Sequence, residues 1–432
     1  MQETKKTIDK KKLIVYVIGI ILVLAVGTCF ALALNNHSSN TSSSSKNSKT
    51  SSAATITKGG TYDITGEDSC VTVNTTDSVE LVLENAKLSC DNGPAINIEE
   101  AKDVNIILKG DSTITSTTTE DLDGAIYSKA DLTFSGDGKV TITSNYDGIV
   151  SKDTLVIKSG TYEVNATDDG IRGKDSVEIT GGEFTITSGA DAIKSTNDED
   201  TEKGTINITG GTFTIKTTGN TENDSAKGIK ATTSITIDGG EFNIDTADDA
   251  IHSDGNITIN NGNITITSKD DGIHANGLLE VNNGTLNITA SEGLEATYVK
   301  INDGTINVSA SDDGINAANK SDAYSVKVEI NGGDITIKMG QGDTDGIDSN
   351  GDLYITGGTI NITGQSPFDY DGTAKKTGGT IIVNGTETDQ ITNQMMGGPG
   401  GNMGGEQPAN GEDPSARGAN PGPRGNQGYR MR

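Results

Sequence analysis

Residues 248–291 contain one 22-residue unit written twice, and that repeat limits the fold more than any other feature of the chain. Counted from Asp249 and then Asp271, apolar residues fall at +2, +8, +10, +15 and +17. They are Ile251, Ile257, Ile259, Ile264 and Ile266 in one unit, and Ile273, Leu279, Val281, Leu286 and Ile288 in the next. Apolar pairs two apart are the period of a strand with one buried face. Each unit therefore holds three short strands joined by "DG" or "NG" turns, with no helical period. Such a unit cannot bury its apolar face alone and must stack on copies of itself. The expectation is an all-β fold, a parallel β-helix of about twelve coils of ~22 residues.

The zero position of the repeat falls at Asp147, Asp169, Asp191, Lys227, Asp249, Asp271, Glu292, Asp313 and Asp345, with weaker matches at Gly124 and Asp371. Position +13 is Gly at 160, 182, 240, 262, 284 and 358, where a tight turn needs positive φ. Two insertions, 195–204 and 317–327, fall at the same place after the first strand, and a third, 217–226, precedes the Lys227 coil.

Outside the repeat the chain changes character. Residues 1–12 are Lys-rich, 13–34 are uncharged and largely apolar, and 35–54 are a Ser/Asn-rich linker. This order predicts an uncleaved membrane anchor with a cytoplasmic N-terminus and the remainder on the extracellular face; secretion after signal cleavage is the alternative. Residues 55–392 form the β-helix, and the Gly/Pro/Met-rich tail 393–432 has no apolar period and is expected to be disordered. The net charge of −28 is concentrated in the repeat region, which excludes nucleic acid and anionic membrane as partners and favours cations. A monomer is expected. Cys70 and Cys90 can pair outside the cell, although Cys90 also occupies an inward position that suits a buried thiol.

Stacking turns each repeat position into a ladder with a spacing of ~4.8 Å. The zero ladder is acidic, and −1 adds Asp168, Asp248, Asp270 and Asp312. Two like charges at that spacing cost roughly 3–4 kcal/mol at an effective dielectric of 20, so the ladder needs compensation. Ca²⁺, which takes six to eight oxygen ligands, suits such clusters. The first candidate set is Asp248, Asp249, Asp270 and Asp271; next come Asp312 and Asp313 with Glu292, then Asp168 and Asp169 with Asp147. The competing structural role is that these Asp side chains cap turn amides. Position +3 is expected to point outward and reads Arg172, Lys194, Lys230, His252 and His274, a cationic stripe beside a small-residue floor at +1, and then Glu295, Asn316 and Asp348. That stripe suits a chain of regularly spaced carboxylates, such as a uronic-acid polysaccharide, or else it neutralises the Asp ladder. Tyr127, Tyr298 and Tyr354 also fall at outward positions.

The repeats "DDGIHANG…LEVNNGTLNITAS", the opening "GPAINIEEAKDVNIILKGDSTIT" and the Met-Gly-rich tail resemble the bacterial carbohydrate-binding-domain family of cell-surface proteins typified in clostridia. The resemblance covers about residues 55–390. It implies a right-handed parallel β-helix like that of pectate lyases, with bound Ca²⁺, which binds cellulose and acidic sugars such as polygalacturonate without established catalysis. The alternatives are a Ca²⁺-dependent polysaccharide lyase, with Arg172 or Lys194 as base, and a non-catalytic adhesin or spacer.

Overall fold

Alternation of inward apolar and outward polar residues carries every coil of the observed fold. In one coil, Ile171–Gly173 forms the first strand, Ser176–Ile179 the second and Glu183–Ser188 the third. Each strand pairs in parallel with its equivalent one coil away. The structure is a computed structural model and describes residues 54–118, 122–219, 225–342 and 344–393. The expected cytoplasmic segment, anchor, linker and tail lie outside these residues, apart from the boundary residues Ala54 and Asn393.

Three parallel sheets result, one per strand position, and together they make a parallel β-helix. The +2 register runs unbroken through Ile149, Ile171, Ile193, Ile229, Ile251 and Ile273, all fully buried. Burying one such side chain is worth about 1.5–3 kcal/mol, so the ladder as a whole holds the rod together. On the third sheet Tyr162, Phe184, Phe213 and Phe242 stack face to face inside the core, with centroids 4.9, 4.7 and 4.6 Å apart.

The turn glycines behave as expected: Gly160 and Gly182 have φ of 113° and 119°, a region that a side chain would disfavour. Both insertions 195–204 and 317–327 leave from the corner between the first and second sheets. In the last coil the register differs from the expectation. Asp345 pairs with Ser366, not Asp371, and Asp348 pairs with Asp369. Phe368 takes the buried +2 position there, so the apolar residue sets the register and the acidic residue does not.

At its C-terminal end the stack turns back on itself. Thr380–Val383 and Thr386–Thr388 form the one antiparallel pairing among the described residues. Their two-residue loop is Asn384–Gly385, both at positive φ, as a hairpin turn of this length requires. Folding the chain back in this way covers the edge of the third sheet's last strand. Near the other end Cys70 and Cys90 are disulfide-bonded, with Cα atoms 5.4 Å apart. A loop of this size contributes about 3 kcal/mol. Reduction is expected to speed amide exchange in residues 54–100 while leaving 250–350 unchanged; equal acceleration in both regions would show that the bond does not act locally.

Candidate functional site

Each coil turns a corner into its first strand, and the zero position sits at that corner. The Asp there uses its two carboxylate oxygens for different purposes. One oxygen accepts the backbone N–H of the zero residue in the next coil: Asp169 N to Asp147 Oδ1 at 2.9 Å, Asp191 N to Asp169 Oδ1 at 3.1 Å, and Lys227 N to Asp191 Oδ1 at 2.9 Å. Asp271 N to Asp249 Oδ1 at 3.2 Å and Asp345 N to Asp313 Oδ1 at 2.9 Å continue the series. The corner amides are thereby satisfied without a sheet partner.

The second oxygen faces the +3 side chains. Arg172 pairs with Asp123 and Asp147, and Lys194 Nζ lies 3.1 Å from Asp169 and 2.9 Å from Asp191. Lys230 reaches Asp191 at 3.9 Å. His252 Nδ1 is 2.7 Å from Asp249 Oδ2, and His274 Nδ1 is 2.9 Å from Asp271 Oδ2 and 2.8 Å from Glu295 Oε2. Lys227, the one cation at a zero position, lies 2.7 Å from Asp248 and 2.8 Å from Asp249. Before desolvation, opposite charges at 2.9 Å gain about 5–6 kcal/mol at a dielectric of 20, which outweighs the repulsion between neighbouring rungs.

The expectation of an outward, open stripe is therefore corrected. The side chains of Arg172, Lys194, His252 and His274 are only 12–22% exposed, because they fold back over the Asp ladder. The floor at +1 is likewise not open. Gly148, Gly170 and Gly272 are buried, and a Cβ at Gly170 would approach Ala192 O to 2.5 Å and Ile186 Cγ2 to 2.6 Å. Tyr127 is 4% exposed, with Lys152 Nζ 5.4 Å from its ring centre, while Tyr298 and Tyr354 stay partly exposed.

The proposed carboxylate sets are brought together unequally. Ligand atoms of Asp248, Asp249 and Asp270 lie within 4.8 Å of one another, as do those of Asp147, Asp168 and Asp169. Asp271 instead groups with His274 and Glu295. Asp147 and Asp249 already have protein cations beside them. Asp312 is exposed, and Glu292 accepts Asn316 Nδ2 at 2.9 Å. Two partners escaped the sequence: Asp123, one residue before the weakly matched Gly124, and Asp369, which pairs with Asp348 in the last coil.

The charges vary along the rod. Burial pushes Asp147 up to about 7 despite Arg172. Burial opposes the charged forms of Asp249 and Glu295, yet His252 with Lys227, and His274 with Lys320, together more than offset it, holding Asp249 well below the usual carboxylate range and Glu295 near 2. His274 is raised to about 10, against burial, by its hydrogen bonds to Asp271 and Glu295. Toward the C-terminal end the +3 cations stop. Burial, then Asp313 and Asp369, push Asp348 up to about 7, and burial with Glu295 pushes Glu292 up to about 8. Buried oxygens Asn316 Oδ1 and Asp369 Oδ1 have no hydrogen-bond partner there.

A second feature lies on the third sheet. Thr265, Asn287, Asn307 and Thr336 form one outward ladder, and Thr267, Thr289, Ser309 and Lys338 form another beside it. They line a shallow groove of about 310 Å³.

A family model described as carbohydrate-binding domain-containing protein matches residues 50–221, 216–272 and 267–394. The chain belongs to this carbohydrate-binding-domain family. No curated protein matches it. Among solved structures, the polysaccharide lyase-like protein from C. thermocellum, a gadolinium derivative, is 28% identical over 57% of this chain and 86% of that one. Its TM-score is 0.39, too low to support any detail of this carbohydrate-binding domain.

Proposed function

We propose that this carbohydrate-binding domain holds an extended polysaccharide, cellulose or an acidic chain such as polygalacturonate, without cleaving it. The observation that carries the proposal is the third-sheet groove. Its two parallel ladders of hydroxyl and amide groups repeat along the rod, which matches a ligand that itself repeats along a straight axis. Asn307 Nδ2 donates to Asn287 Oδ1 at 3.0 Å, so the amides are ordered before any ligand arrives. The ligand therefore belongs on this groove and not on the charge-paired stripe Arg172, Lys194, Lys230, His252 and His274.

The non-catalytic reading is supported by the fate of the candidate bases. Lys194 and Arg172 are ion-paired, and burial of Lys194 is outweighed by Asp169 and Asp191, which raise it and make it a poor base. For Ca²⁺ the C-terminal rungs are the candidate place without a protein cation at the +3 position: Asp348 and Asp369 pair on adjacent rungs there, beside the orphaned Asn316 Oδ1. Bound there, Ca²⁺ would neutralise the carboxylates. A location on the cell surface, anchored through residues 13–34, is supported by the basic segment before it and by the Cys70–Cys90 disulfide.

Native affinity gels containing polygalacturonate or cellulose, run with Ca²⁺, test the proposal. Retention is expected, weakened in Asn307→Ala, with no ultraviolet-absorbing unsaturated product from pectate. Absence of retention in both gels would end the polysaccharide proposal, and product formation would establish the lyase alternative.

A further inference from the structure

His252 and His274 are two of the three histidines of the chain, and their backbones pair directly on adjacent rungs. Their rings stand 4.8 Å apart, centre to centre. Each ring nitrogen has an assignable neighbour. His252 Nε2 lies 3.1 Å from Asp254 Oδ1, and His274 Nε2 lies 3.2 Å from Asn276 Oδ1. Both neighbours are acceptors, so in the neutral ring they take the Nε2 proton and leave the Nδ1 lone pair facing inward.

What faces those lone pairs is unusual for a ring that only donates a hydrogen bond. His274 Nδ1 has three carboxylates around it: Glu295 Oε2 at 2.8 Å, Asp271 Oδ2 at 2.9 Å and Asp249 Oδ2 at 4.0 Å. One N–H proton can point at only one of them. His252 Nδ1 adds a second nitrogen, 2.7 Å from Asp249 Oδ2. Ligand atoms of Asp249, His252 and His274 lie within 4.8 Å of one another, and those of Asp271, His274 and Glu295 do the same. His274 is common to both groups and sits at the centre. The separations of 2.7–4.0 Å bracket the roughly 3.3 Å edge of a tetrahedron with 2.0–2.1 Å bonds.

We propose that His252 and His274, with Asp249 and Glu295 and with Asp271 as the exchangeable carboxylate beside Glu295, form a four-coordinate site for one borderline divalent transition-metal ion, Zn²⁺ being the natural occupant by chemistry. Imidazole nitrogens with carboxylate oxygens select this class, whereas Ca²⁺ prefers oxygen alone. The Nε2 partners Asp254 and Asn276 play the orienting part that metal-binding imidazoles require. Charge does not oppose loading, since one divalent ion carries the charge of the two ring protons it would replace. Lys320, 2.6 Å from the other oxygen of Glu295, keeps that carboxylate in place; Lys227 lies 2.8 Å from Asp249 Oδ2 itself and swings to Asp248, 2.7 Å away, when the metal takes that oxygen. The site is separate from the third-sheet groove, so it stands or falls independently of polysaccharide binding.

The full chain, stripped with a chelator, is to be titrated with Zn²⁺ by calorimetry and with Co²⁺ by visible absorption. One equivalent of Zn²⁺ is expected to bind in the presence of excess Ca²⁺, and Co²⁺ should give d–d bands of a nitrogen-ligated ion. Asn276→Ala should weaken Zn²⁺ about tenfold and His274→Ala by more than that. His37→Ala, which removes the remaining histidine, should change nothing. Zn²⁺ binding that survives in the His252→Ala/His274→Ala double variant would overturn the site. So would native protein whose histidine proton resonances are unshifted by Co²⁺, a readout that does not depend on any variant folding.

Discussion

Asp191→Ala is expected to destabilise the middle coils by about 3–5 kcal/mol, the usual loss when a buried charge is left without its partner. Asp191 is fully buried. Its Oδ1 accepts Lys227 N at 2.9 Å and Ser225 Oγ at 2.7 Å, while Oδ2 lies 2.9 Å from Lys194 Nζ and 3.9 Å from Lys230 Nζ. Burial pushes its carboxyl up, but Lys194 and Lys230 more than offset this and hold it below the ordinary value, so it is ionised at neutral pH. Alanine removes an amide acceptor and a counter-charge together. Asparagine keeps an acceptor for the Lys227 amide and loses only the charge, so Asp191→Asn should cost less than Asp191→Ala. In a solenoid the loss is local, and hydrogen exchange should rise first in residues 169–231. If the rod unfolds as one unit, the alanine variant melts roughly 4–7 °C lower. A loss under about 1 kcal/mol in urea would mean that the ladder is not held by these pairs.

That the fold is plain in the sequence and the site is not has one physical origin. Ile251, Ile257 and Ile259 declare themselves because a strand side chain has only two directions, and the core accepts one of them. Gly160 and Gly182 declare the turns because few other residues tolerate their φ. The site lies where that two-way rule ends. The first strand is only three residues long in Ile171–Gly173, and the positions before it lie on a bend, so +1 is buried beside +2. Position +3 does leave the core, yet its long side chains then turn along the rod. Arg172 reaches Asp123, two coils away, across a stretch whose spacing hides the repeat. A sequence lists the members of each ladder but not the direction each carboxylate oxygen faces. The capping role of the Asp ladder and the neutralising role of the stripe are both visible as possibilities in the sequence, and the geometry shows both sets of contacts made. Asp369 is hidden in the sequence for the same reason that the register slips at Asp371: Phe368, and not an acidic residue, sets the phase of the last coil.

Stability should fall as pH rises from about 5 to 8.5, the reverse of what is expected for a protein held by ordinary exposed carboxylates. Asp147, Asp348 and Glu292 are raised to about 7, 7 and 8, in each case first by burial and then by neighbouring carboxylates. A carboxyl whose folded pKa lies above its unfolded value near 4 favours the fold while protonated. That contribution is fully present below about pH 4 and is lost as pH climbs through 7–8. His274, raised to about 10, acts in the same direction: its contribution is complete below about 6.5 and is lost on approach to 10. Asp249 and Glu295 are depressed, so their contributions are present above about 4 and fail only in stronger acid. Together these shifts place maximum stability near pH 4, with the decline well under way above pH 5. Melting in chelator-treated buffer across pH 4–9 checks this, and a midpoint that is flat or rising between 5 and 8 would refute it. Asp348→Asn separates the causes. Without added metal it should raise the midpoint at pH 8 and leave pH 5 unchanged, because it removes a charge that the folded state disfavours. With millimolar Ca²⁺ at pH 8 the order should invert, since the unaltered protein gains by binding and the variant has lost a ligand. Inversion would tie the uncompensated rungs to the metal, whereas a pH effect without inversion would leave them as a purely electrostatic strain at the end of the rod.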